Sequence, residues 1–134
     1  MAAKKVSLVV VEVKDRPGAL AETLVPIAKA GVNLLGVVGH SCGGGCAEIV
    51  CAPDCVDTAM AALKEAGIKA RKAEGVIVTG PDAVGVGARM AKRAAAAKIN
   101  LKGVAALSLK GRYECLVWVS PKDSAALAAG LKAK

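Results

Sequence analysis

Apolar residues along this 134-residue chain gather in short runs, each closed by a turn rich in glycine or proline. Residues 7–13 form a β-branched run that predicts a buried strand, stopped by Lys-Asp-Arg-Pro-Gly at 14–18. From 18 to 30, Leu20, Leu24, Ile27 and Ala28 fall at i, i+4, i+7 and i+8, one face of a helix, and Gly31 suits the position after its C-cap. Pro26 removes a backbone donor inside that helix and predicts a kink. Residues 34–41 and 46–52 read as two strands around a Cys-Gly-Gly-Gly turn. Asp54 is placed to cap a second helix that buries Val56, Met60 and Leu63 and ends near Gly67, and residues 68–73 read as a closing strand. The order is β-α-β-β-α-β.

The pattern then repeats. At a constant offset of 67, Val9 falls on Val76, Val11 on Val78, Asp15 on Asp82, Gly18 on Gly85, Asn33 on Asn100, Leu34 on Leu101 and Gly36 on Gly103. The second copy predicts a strand at 76–79, a helix at 85–97, strands at 101–109 and 113–119, and a helix over 120–133. It lacks an obvious last strand. The fold class expected is α+β: two ferredoxin-like βαββαβ modules in tandem, residues 1–74 and 75–134, each an antiparallel sheet with its helices on one face. The unclosed edge of the second module favours a homodimer.

Composition narrows the function. Phe is absent and Trp and Tyr occur once each, so the platforms on which nucleic-acid binders stack bases are nearly missing. The basic excess sits in the second copy: nine basic residues against eight acidic in 1–74, ten against three in 75–134. Arg89, Lys92 and Arg93 make a basic stripe opposite Val86, Met90 and Ala94, read as a solvated helix face and not as a nucleic-acid surface. No apolar run approaches the length of a membrane span and no export signal is read, which points to a cytoplasmic protein with reduced thiols.

The stretch 40–55 holds the single histidine and four of the five cysteines. The two-residue period of a strand sets His40 and Cys42 on one face, with Cys46 just across the turn, while Cys51 and Cys55 lie a strand length away. The candidate metal or thiol site is therefore His40, Cys42 and Cys46, against the plainer reading of small apolar cysteines around an adaptable turn. Enzymatic readings are weaker. Gly85-Val-Gly87 lacks the third glycine and the acidic partner of a dinucleotide fingerprint. No orienting acid completes a nucleophile from His40, Ser41 or Cys42. Neither catalysis nor a cofactor is expected.

Strand, Asp15-Arg16-Pro17-Gly18-Ala19-Leu20, amphipathic helix and Gly31-Val32-Asn33 opening the next strand together resemble the ACT domain. The second copy keeps Asp82, Gly85 and Asn100 but has Val84 for the proline and Lys98 for the glycine. The resemblance implies a non-catalytic regulatory or sensor protein that binds an amino acid or similar small ligand between modules, at the first turn of one and the second-strand region of its neighbour, and that acts on an enzyme partner. The ligand-binding candidates are Asp15, Arg16, Pro17, Gly18, Ala19, Asn33, Leu34, Asp82, Gly85 and Asn100. Local chemistry agrees: a helix N-terminus at Gly18 suits a carboxylate, and Asn33 offers a donor and an acceptor. The alternative is a thiol or zinc sensor on the His40 hairpin.

Overall fold

The computed structural model describes Met1–Lys134 and divides the chain into two compact units, Ser7–Ala73 and Met1–Val6 with Glu74–Lys134. The elements are β1 (Ala2–Lys14), α1 (Ala19–Lys29), β2 (Leu34–Gly43), β3 (Cys46–Pro53), α2 (Val56–Glu65), β4 (Ala70–Pro81), α3 (Val86–Ala96), β5 (Gly103–Leu109), β6 (Arg112–Trp118), a 3-10 turn (Pro121–Asp123) and α4 (Ser124–Gly130). The strand expected to close the first copy and the one expected to open the second are a single strand, β4. Strands β1 and β4 each lend residues to both units.

In the first unit the strand order is β2-β3-β1-β4, with β3 antiparallel to both β1 and β2. Val9 and Val11 of β1 meet Ile27 of α1 and Ala59 and Leu63 of α2 in one cluster, all nearly without solvent exposure. Non-directional burial of this kind holds small α+β units together at roughly 25 cal/mol per Å2 of apolar surface. The buried face of α1 is rotated from the one the apolar spacing predicts. Ala19, Thr23 and Ile27 point inward, while Leu20 is exposed. Thr23 can be buried because its hydroxyl donates to the Ala19 carbonyl at 3.0 Å, which satisfies its polar atom inside the helix. The helix runs on through Pro26, the one residue that needs no amide partner.

The second unit repeats the plan with α3 buried along Val86, Met90 and Ala94, as the spacing predicts. Val86 and Met90 join Val76, Val78, Tyr113, Cys115, Val117, Val119, Leu127 and Leu131. The final helix is shorter than expected: a proline-led 3-10 turn precedes α4. The place of the missing last strand is taken by Met1–Val6, which an N-terminal module at 1–74 would have claimed. Ala3 packs on the second unit's core, Lys134 donates to the Ala3 carbonyl at 3.2 Å, and Lys5 donates to the Lys134 carbonyl at 3.0 Å. Local patterning could not show this, since a strand's hydrogen-bonding edge carries no record of which partner fills it.

Candidate functional site

Both copies build the same turn. Asp15 donates its amide to the Gly45 carbonyl at 2.8 Å, and Asp82 donates to Gly111 at 2.8 Å, so each strand-to-helix turn is fastened to the tip of the neighbouring hairpin. Gly18 and Gly85 then occupy the N-cap positions of α1 and α3 with φ of 89° and 83°, a left-handed conformation that side-chain-bearing residues resist. Neither helix start is capped by a side chain. The amides of Ala19 and Val86 turn back to the Arg16 and Ala83 carbonyls at 3.3 and 3.1 Å. The amides that follow, of Leu20 and Ala21 and of Gly87 and Ala88, have no side-chain cap at the end where the helix dipole favours an anion.

The two turns differ in their side chains. Ser108 on β5 donates to Asp82 at 2.9 Å, which occupies that carboxylate. Ser41, the residue 67 positions earlier, instead accepts from the Gly43 amide, and the exposed carboxylate of Asp15 has no comparable donor. Arg16 pairs with Glu22 on α1 at 2.6 Å and also donates to the Pro17 carbonyl. That hydrogen bond and charge hold Glu22 below the usual carboxylate range and raise Arg16. Pro17 and Gly18 are exposed and Ala19 is buried. In the second turn, Val84 projects fully into solvent.

Asn33 and Leu34 stand at the opposite end of the first unit's sheet. Leu34 pairs with Pro53, whereas Lys14 pairs with Cys46, so about seven residues of strand, roughly 23 Å, separate them from the turn. Within the unit the two halves of the candidate site are therefore not brought together, and the same holds for Asp82 and Gly85 against Asn100. The Asn33 backbone is committed: its amide donates to Asp54 Oδ1 at 3.2 Å, and its carbonyl accepts from the Asp54 amide at 2.9 Å. Asp54 is thus a clasp for the start of β2 and not the cap of α2, whose N-cap is Cys55.

At the hairpin, the expected trio does not assemble. His40 faces Glu48, its cross-strand partner, with Nε2 3.6 Å from Oε1, and Arg71 lies 3.6 Å from the other Glu48 oxygen. Cys42 and Cys46 converge instead with Glu12, their ligand atoms all within 4.8 Å of one another. Cross-strand pairing sets His40, Glu48 and Glu12 on one face, so the cluster forms on the face of His40. The imidazole stays out because Glu48 engages it, while Cys42, at the register irregularity between Ser41 and Gly43, meets Cys46. Cys46 donates to Glu12 Oε1 at 3.4 Å, and its thiol is pushed up to about 12 by the hydrogen bond with Cys42, by desolvation and by the Glu12 carboxylate. Glu12 is the residue that sequence reading missed; its signal is cross-strand register, available only once β1 is paired with β3. Cys51 is buried, with its thiol raised to about 11 by desolvation. Cys55 is exposed, its thiol lowered by hydrogen bonds from the Thr58 hydroxyl and amide.

Other depressions lie away from both turns. One of about 450 Å3 in the second unit is lined mainly by residues of α4, Ala125, Leu127, Ala128 and Ala129 among them, with Lys5 and Glu74 also in its wall. It is a gap left by small side chains near the chain ends and contains no turn residue. No helix is long and apolar enough to cross a membrane.

A scan against protein-family models and a search of curated proteins by sequence each return no match. Solved structures do match. Protein BT0572 from Bacteroides thetaiotaomicron superposes with a TM-score of 0.81 at 17% identity, over 97% of this chain and 88% of that one. The ligand-free regulatory subunit of aspartate kinase from Thermus thermophilus gives 0.70 at 16%, over 98% and 93%. The corresponding subunit from Thermus flavus gives 0.61 at 17%, over 98% and 95%. The chain therefore has the fold of regulatory subunits of aspartate kinase, a mixed α+β architecture that agrees with the resemblance to ACT domains.

Proposed function

We propose that this chain is a non-catalytic regulatory protein of two ACT-like modules in tandem, acting in the cytoplasm as a homodimer, that binds a free amino acid or similar zwitterion and thereby controls an enzyme partner. The observation that carries the reading is the open turn at Asp15–Ala19. The ligand's carboxylate meets the uncapped N–H groups at the start of α1, and its ammonium group meets the unengaged Asp15 carboxylate. Gly18 lets the ligand approach the backbone closely, and the Arg16–Glu22 pair closes one side. The turn of the second unit offers the same helix start, but its Asp82 is already held by Ser108, so it serves as the structural counterpart. Asn33 and Leu34, distant from the turn of their own unit, complete the site from the partner protomer. The neighbours named as aspartate kinase regulatory subunits support a regulatory role.

The test is a thermal-shift screen of the full chain against the twenty amino acids. A ligand bound only by the folded state at a hundredfold excess over its Kd stabilises by about 2.7 kcal/mol. One amino acid raises the melting temperature, Asp15→Asn abolishes the rise, and Asp82→Asn keeps it. Equal loss in both variants, or no shift with any amino acid, would sink the reading.

A further inference from the structure

We propose that Glu12, Cys42 and Cys46 form a three-ligand site for a thiophilic divalent cation of the zinc class, with a fourth position open to solvent. The site is independent of the amino-acid reading and differs from the histidine-containing set that the sequence suggests.

Geometry favours it. One carboxylate oxygen and two sulfurs lie within 4.8 Å of one another without any ion to draw them together. A tetrahedral ion with bonds of about 2.3 Å to sulfur holds two sulfurs about 3.8 Å apart, so only a small closure is required. The segment that must close is suited to it. Gly43, Gly44 and Gly45 link the two cysteines with φ of 82°, 60° and 76°, and no neighbouring atom lies within 4 Å of where a Cβ would stand on any of them. The turn can adjust, and an ion can reach it.

The third ligand comes from a rigid element. Glu12 lies on β1, whose register with β3 sets it opposite Glu48 and one diagonal step from Cys46. Glu48 is engaged by His40 and Arg71, which leaves Glu12 as the carboxylate that meets the thiols and keeps the imidazole out of the cluster. Binding is a simple exchange: each thiol gives its proton to solvent as its sulfur takes up the metal, with no change of oxidation state. The donor set, two soft sulfurs and one oxygen, selects zinc over magnesium or calcium. Three protein ligands and an open position describe an exchangeable ion and not a closed structural one.

The amide of Asp15 is tied to Gly45, the residue before Cys46, so an ion here fastens both walls of the first turn.

The experiment uses reduced, metal-stripped full-length protein. Cobalt(II) added to it is expected to produce sulfur-to-metal charge-transfer absorption, displaced by zinc, absent in Cys42→Ser and in Cys46→Ser, weakened at least tenfold in affinity by Glu12→Gln, and unchanged in His40→Ala. Circular dichroism confirms that each variant is folded. A second readout needs no variant. Zinc should protect Cys42 and Cys46 from alkylation, while Cys55, exposed and outside the cluster, stays reactive as the internal control. The proposal is overturned by charge-transfer absorption that is missing in the unsubstituted protein, or that depends on His40 and not on Glu12. Equal protection of all three thiols also overturns it. So does oxidation to a Cys42–Cys46 disulfide with no protection by zinc, which would make the pair a redox couple.

Discussion

The two units thread different residues through the same backbone. Helices α1 and α2 of the first unit each end at a glycine in the left-handed region, Gly31 and Gly67, both with φ of 76°. Helices α3 and α4 of the second end at Lys98 and Lys132, with φ of 59° and 55°. The hydrogen bonds are the same in all four: the amide of this residue reaches back three positions, and the next amide reaches back five. That is the Schellman closure, in which glycine is preferred because a Cβ costs about 1 kcal/mol there. The second unit carries that cost twice, and a third time at Lys110 in its hairpin. The paired ends of a fold outweigh the preference of one residue.

Charge separates the units in the same direction. The three ion pairs Arg16–Glu22, Arg71–Glu48 and Lys72–Asp57, and the His40–Glu48 contact, all lie in the first unit. The second, with three acids among residues 75–134, has three lysines, Lys98, Lys110 and Lys132, at turns where glycine would serve better.

This contrast can be broken most forcefully at a glycine that no other residue can replace. The indole of Trp118 occupies the space where a Cβ on Gly103 would stand, whereas nothing lies within 4 Å of a Cβ on Gly39 of the first unit. Gly103→Ala is expected to lose about 3 kcal/mol in urea unfolding, and Gly39→Ala only a few tenths. A smaller and opposite effect is expected at the helix ends. Lys98→Gly and Lys132→Gly should each gain about 1 kcal/mol, and Gly31→Lys and Gly67→Lys should lose about as much. If the four changes are indistinguishable, the left-handed ends do not carry the difference between the units.

The smallest effect is in acid. Glu22 and Asp57 are held below the usual carboxylate range by Arg16 and Lys72. A depressed carboxylate contributes stability above its unfolded-state pKa, and that contribution is lost as pH falls through the folded value. Protection from hydrogen exchange, corrected for the intrinsic rate at each pH, should therefore fall in Ser7–Ala73 as the pH drops below about 4, and Glu22→Gln with Asp57→Asn should flatten that response. A response confined to the second unit would contradict the assignment.

Much of this was legible in the sequence. The 67-residue offset puts Gly18 on Gly85 and Ala19–Lys29 on Val86–Ala96, and the structure has helices over those spans. Periodicity located the elements because burial on one face imposes it. It failed where a second interaction intervened: Thr23 satisfies its own hydroxyl and turns α1 inward, and Asp54 bonds Asn33 rather than its own helix. The site was legible as a turn and a cysteine hairpin. Its membership was not, because the pairing of β1 with β3 sets Glu12 diagonal to Cys46, and Glu48 draws His40 away. Pairing register is a property of two segments, and no single segment records it.

The place of Met1–Val6 has one more consequence. Lys134 bonds both Ala3 and Lys5, so the chain's two ends are the two lips of one seam. A ribosome releases the strand residues of Ser7–Ala73 early, but residues 1–6 must wait for residue 134 before their own unit can close. The delay is one of timing more than of energy, since doubling a loop adds only about 0.6 kcal/mol to its closure. It also marks where the chain could be rewired. A circular permutant beginning at Glu74, passing from Lys134 through a short linker into Met1 and ending at Ala73, would hold each unit as unbroken sequence, with β4 the only strand divided.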